Sequence, residues 1–118
     1  MEHPMSRPPW SRDEVVLALD LYLRNDRRVL NKTHPDVIEL SRLLNAMPIN
    51  IDKRTEKYRN TAGISLKLAN LRSLDPKHES VGLKGASAMD REVWDEFADD
   101  PEILAREARR IRRFVNEV

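Results

Sequence analysis

Apolar residues in this chain recur at helical spacing and nowhere alternate with the period of a strand, which confines it to helical folds. Val15, Leu19 and Tyr22 make one stripe, with Val16 and Leu23 beside it. Val37, Ile38, Leu40, Leu43, Leu44 and Met47 make a second, and Ile64, Leu68 and Leu71 a third. Val93, Trp94 and Phe97 form a short fourth, and Leu104, Ala108, Ile111 and Val115 a long fifth. A chain of 118 residues has material for one modest core, and with only 5% aromatic residues that core is mostly aliphatic. The expected fold is all-α: a compact bundle of about five helices spanning residues 10–118, behind a disordered lead of residues 1–9.

Local punctuation places the helix ends. Ser11 and Glu14 have the spacing of a capping box, and Trp10 stands where a hydrophobic staple would pack on Val15, so helix one should run over residues 12–24. Asn25, Asp26, Arg27 and Arg28 break it. Pro35 suits the first turn of helix two, and Pro48 ends it. Asn60 is a plausible cap for helix three over residues 61–73, with Gly63 in its first turn and Asp75-Pro76 after it. Residues 49–55 read as a loop or an extended arm, and residues 77–88 as a loop containing Gly82 and Gly85. Helix four is expected over residues 90–98, and helix five after an Asp100 cap with Pro101 in its first turn. Helices two and three follow one another like a helix-turn-helix pair, but their connection is longer than the usual tight turn.

Several chemistries find no foothold. Without cysteine there are no disulfides or thiolate metal sites, which fits a cytoplasmic location. No apolar run is long enough to span a bilayer. His3, His34 and His78 are scattered, and neither a metal-binding His pair nor a Gly-rich phosphate loop is present, so no metal, cofactor or catalytic function is expected. Asp90, Glu92, Asp95 and Glu96 read as the solvated face of a short helix with Trp94 turned inward, rather than as an acid/base site.

The net charge is only +1, so charge distribution carries the argument. Lys53, Arg54, Lys57, Arg59, Lys67 and Arg72 stand against Glu56 alone in the lead-in to helix three and along it. The next segment is acidic, and helix five turns basic through Arg106, Arg109, Arg110, Arg112 and Arg113. One reading of the basic segment is an exposed, soluble helix paired with nearby carboxylates. The other is a nucleic-acid surface. There, Lys57, Arg59, Lys67 and Arg72 would meet phosphates, Asn60, Ser65 and Asn70 would meet phosphates or base edges, and Lys53 and Arg54 belong to the same DNA-binding set. Tyr58 reads first as a core residue with its hydroxyl at the surface, and in the nucleic-acid reading as a stacking platform. A third reading is protein docking through the acidic helix four, Glu92 and Glu96 above all, and the basic helix five.

Several separated segments, in order, resemble the N-terminal head domain of McrA-like (SRA–HNH) modification-dependent restriction endonucleases. The opening Trp10-Ser11-Arg12-Asp13-Glu14-Val15-Val16-Leu17-Ala18-Leu19-Asp20-Leu21-Tyr22 is similar to the start of that domain, and Glu39-Leu40-Ser41-Arg42-Leu43-Leu44-Asn45 fits its next helix. The segment from Tyr58-Arg59-Asn60-Thr61-Ala62-Gly63-Ile64 through Lys67-Leu68, Asn70-Leu71 and Leu74-Asp75-Pro76 resembles the family's Phe-Arg-Asn-Pro-Asn-Gly-Val pattern and its continuation. Gly82-Leu83-Lys84-Gly85 and Arg91-Glu92-Val93-Trp94-Asp95-Glu96-Phe97 complete the resemblance. Tyr58 stands in place of Phe, Leu71 in place of Phe, and Thr61-Ala62 in place of Pro-Asn, which removes an asparagine from the start of helix three. The resemblance implies a helical accessory or DNA-reading domain that acts on plain or modified double-stranded DNA beside SRA and HNH nuclease domains. It implies no cleavage by this chain, which carries no HNH motif.

Overall fold

A computed structural model of the protein describes residues 8–78 and 85–117. The described residues form five α-helices and no strand: α1 (Arg12–Arg24), α2 (Pro35–Ala46), α3 (Thr61–Arg72), α4 (Ala88–Phe97) and α5 (Pro101–Glu117). Residues 1–7 of the expected lead and residues 82–84 of the family-like segment lie outside the described residues.

The central element is α1. Every residue from Val15 to Leu19 is fully buried, as are Leu21 and Tyr22, as expected for a helix apolar on almost all sides. It packs against all four other helices. The capping box forms as its sequence predicts: the Ser11 hydroxyl accepts from the Glu14 N–H, and the Glu14 carboxylate accepts from the Ser11 N–H. Trp10 packs on the edge of the core. In α5 the stripe of Leu104, Ala108, Ile111 and Val115 is buried while the arginines between them face outward or lie at the edge.

Three local differences from the sequence reading matter. First, α4 begins at Ala88, because Ser87 and Asp90 form a second capping box. Second, residues 49–55 are neither a featureless loop nor an extended arm: Asn50 takes a left-handed φ of 56° and starts a short 3-10 turn, Ile51–Lys53. The connection from α2 to α3 is therefore a structured excursion rather than the tight turn of a helix-turn-helix. Third, Pro8 and Pro9, read as part of a disordered lead, are tied down, since their carbonyls accept from Arg59 at 3.1 and 3.2 Å.

The end of α1 builds a buried polar knot. Asp26 and Arg27 are both left-handed, at φ 62° and 57°. The Arg27 N–H reaches back to the Tyr22 carbonyl at 2.9 Å, the six-to-one bond of a Schellman motif. That turn aims the Arg27 guanidinium at Asp75, which lies at 2.8 Å and is 2% exposed. Asp75 also accepts from the Tyr22 hydroxyl at 2.7 Å and the Lys77 N–H at 2.9 Å. Burial pushes the Asp75 pKa up. The Lys77 N–H, the Tyr22 hydroxyl and Arg27 together outweigh it and hold the carboxyl below its ordinary 3.8. Tyr22 moves upward from 10.0, first by burial and then by its bond to Asp75.

A depressed carboxyl contributes stability above its unfolded pKa and loses it as pH falls through the folded one. A raised phenol contributes below its unfolded pKa and loses it as pH rises through the folded one. Circular-dichroism melts should therefore show the midpoint dropping below about pH 4 and again above about pH 10. Tyr22→Phe should flatten the alkaline limb, and Asp75→Asn the acid limb. Limbs unchanged in these variants would disprove the assignment.

Candidate nucleic-acid interface

One cleft of about 760 Å³ lies between residues 8–10, the end of the α2–α3 connection, the outer side of α3 and the first turn of α4. Lys53, Lys57, Tyr58, Arg59, Asn60, Lys67 and Asn70 line it, together with Trp10, Leu66 and Met89. The sequence-derived candidates thus largely converge, but on a concavity rather than on a projecting helix face.

Their environments differ sharply. Lys53 and Lys57 are exposed at the cleft. Arg59 and Lys67, expected on the solvent side, are turned inward. Arg59 is 6% exposed; its guanidinium meets the fully buried Glu14 carboxylate at 2.7 and 3.1 Å. It lies over the rings of Tyr58 and Trp10, at 4.6 and 5.0 Å. Lys67 is 8% exposed and spans both oxygens of the fully buried Asp90 at 3.0 and 3.1 Å, with its ammonium 5.0 Å from the Trp10 ring. The reason is electrostatic: each buried carboxylate requires a cation, and a charge left alone in the interior costs several kcal/mol. These two cations are thus neutralised and form the floor of the cleft, while Lys53 and Lys57 carry its accessible positive charge. Among the described residues, no carboxylate side chain lines the cleft.

The other candidates are also placed by the fold. Arg54 does not line the cleft. Its guanidinium donates to the carbonyls of Asn45, Met47 and Ile49 and lies over Tyr58, closing the carbonyl end of α2. Tyr58 is buried, and its hydroxyl accepts from the Asn50 amide, which agrees with its core reading. Asn60 caps α3, accepting the Gly63 N–H at 2.8 Å. A Cβ at Gly63 would come within 3.1 Å of that same amide oxygen, so the glycine leaves room for the cap. Ser65 faces away from the cleft and donates to the Leu30 carbonyl at 2.7 Å, holding the 29–30 segment on α3. Arg72 is partly buried, has interactions of its own, and bears on the Tyr22 phenol electrostatically. Asn70 lines the cleft with its amide packed against Gly85, where a Cβ would come within 2.2 Å of the amide oxygen.

Ser41 and Asn45 are positioning residues that the charge pattern did not reveal. The Ser41 hydroxyl donates to the Arg59 carbonyl at 2.8 Å and the Asn45 amide to the Tyr58 carbonyl at 3.1 Å. Between them they pin from α2 a backbone that would otherwise resist its shape, because Arg59 sits at a left-handed φ of 46°. The acidic outer side of α4 is engaged too: Glu96 forms a two-pronged pair with Arg12 at 2.6 and 2.8 Å.

Among the described residues no group of three or more His, Asp or Glu side chains is placed to hold a metal ion, and no helix is long and apolar enough to cross a membrane. Comparisons with protein-family models, curated proteins and solved structures find no match to this chain.

Proposed function

We propose that this chain is a non-catalytic helical DNA-binding domain, an accessory or recognition unit working beside the SRA and HNH domains of a modification-dependent restriction nuclease. The association with that family rests on the sequence motifs. The DNA-binding part rests on one observation: Lys53 and Lys57 stand exposed on a cleft whose lining, among the described residues, carries no carboxylate side chain and whose other two cations are already neutralised. Such a site attracts a polyanion. The phosphate contacts fall to Lys53 and Lys57, and Asn60 and Asn70 supply the amides beside them. Arg54, Arg59, Ser65 and Lys67 serve as the scaffold.

This division of labour has a thermodynamic signature. Each phosphate neutralised on duplex DNA contributes about 0.9 to the slope of log K against log salt. In fluorescence-anisotropy titrations from about 50 to 200 mM salt, Lys53→Ala and Lys57→Ala should each lower that slope by about one. The double variant should lower it by about two. A duplex that does not bind at low salt, or a slope indifferent to both lysines, overturns the proposal.

A further inference from the structure

The shape of the cleft restricts how DNA is engaged. A helix that reads base edges enters the major groove with a convex face, since the groove is only about 12 Å wide. The face of α3 that carries Asn60, Lys67 and Asn70 is instead sunk between residues 8–10 and the first turn of α4. Its volume of about 760 Å³ falls in the range of sites that enclose a small ligand. The lining matches one nucleotide unit. Trp10 supplies aromatic surface, with the buried Tyr58 behind Arg59 as backing, and Leu66 (57% exposed) and Met89 supply apolar walls. Asn70 supplies an amide at the wall, its oxygen packed against Gly85, and Lys53 and Lys57 supply charge for the phosphates.

We infer that the cleft receives a single unpaired base, swung out of its strand, while its flanking phosphates rest on Lys53 and Lys57. This rests on the DNA-binding reading and deepens it. Arg59 and Lys67 take part by position: lying over the Trp10 ring, they hold it in place as one wall.

The test uses anisotropy titrations of the protein with three DNAs: an intact duplex, the same duplex with a one-nucleotide bulge, and that bulge made abasic. The bulged duplex should bind about tenfold more tightly than the intact one, as stacking one base on aromatic side chains typically yields. The abasic bulge should bind like the intact duplex. Leu66→Trp, a change at an exposed helix position that spares the core, should fill the cleft and abolish the preference while leaving intact-duplex affinity within about twofold, because the phosphate contacts remain. Asn70→Ala should reduce the preference without abolishing it. Equal binding of all three DNAs overturns the base pocket and leaves the DNA-binding reading standing. A bulge preference that survives Leu66→Trp, or that the abasic bulge shares, also overturns the pocket. Failure of every DNA to bind overturns both.

Discussion

Arg59→Ala should destabilise the protein by about 3–5 kcal/mol, among the largest losses available from one surface-proximal side chain. Glu14 is fully buried, and Arg59 is its only cationic partner among the described residues. The Ser11 N–H still donates to Glu14 in the variant, but a neutral donor cannot offset a desolvated carboxylate. Glu14→Gln is expected to cost slightly less. It keeps an acceptor for Ser11 and leaves Arg59 with the Pro8 and Pro9 carbonyls. Backbone geometry adds a finer expectation. At φ 46° a residue with a Cβ is strained by about 1–2 kcal/mol, whereas glycine is not. Arg59→Gly, although it loses the same ion pair, should therefore be about 1 kcal/mol more stable than Arg59→Ala. Urea unfolding read by circular dichroism gives all three values. Equal stability of the wild type and Arg59→Ala would mean that the Glu14 pair does not hold the fold, and an alanine variant more stable than the glycine one would contradict the strain argument.

The same residue shows what the sequence discloses and what it conceals. The ends of α1, α2 and α3 are legible because they are written locally: Ser11 with Glu14, Pro35 at the start of α2, and Asn60 before Thr61. The Ser87–Asp90 spacing carried the same signal for α4 and places its start before Asp90. The Arg59–Glu14 pair joins residues 45 positions apart, through a left-handed turn pinned by Ser41 and Asn45, and no local pattern announces it. Lys67 is a different case. It lies three residues after Ile64 and four before Leu71, and thus on the buried stripe of α3 rather than on its polar face. Asp90 likewise lies three before Val93 and seven before Phe97, on the buried stripe of α4. A cation on one apolar stripe and an anion on another are the sequence signature of a buried pair, and the basic tally around α3 masked it. The cleft itself depends on how residues 8–10, the α2–α3 connection and α4 meet, which periodicity does not encode.

Lys67→Met should cost about 3 kcal/mol of stability, because it leaves Asp90 buried without its cation. The aspartate has two tasks: it accepts from the Ser87 N–H at 3.0 Å to complete the α4 capping box, and it binds Lys67. Asp90→Asn keeps an acceptor for the cap but strands the ammonium, so it should cost a similar amount. In the double variant neither charge is left unpaired. Its loss should fall short of the sum of the single losses by at least about 1.5 kcal/mol, within the range found for residues in direct contact. Simple additivity would show that the pair is not coupled. The same Lys67→Met protein also decides the lysine's functional part. Lys67 is already neutralised by Asp90, so its removal should leave the salt slope of DNA binding unchanged when measured where the variant is fully folded, whereas Lys57→Ala lowers it. A slope reduced by about one in Lys67→Met would mean that Lys67 leaves Asp90 for a phosphate when DNA binds, and that the floor of the cleft is a switchable contact rather than a fixed support.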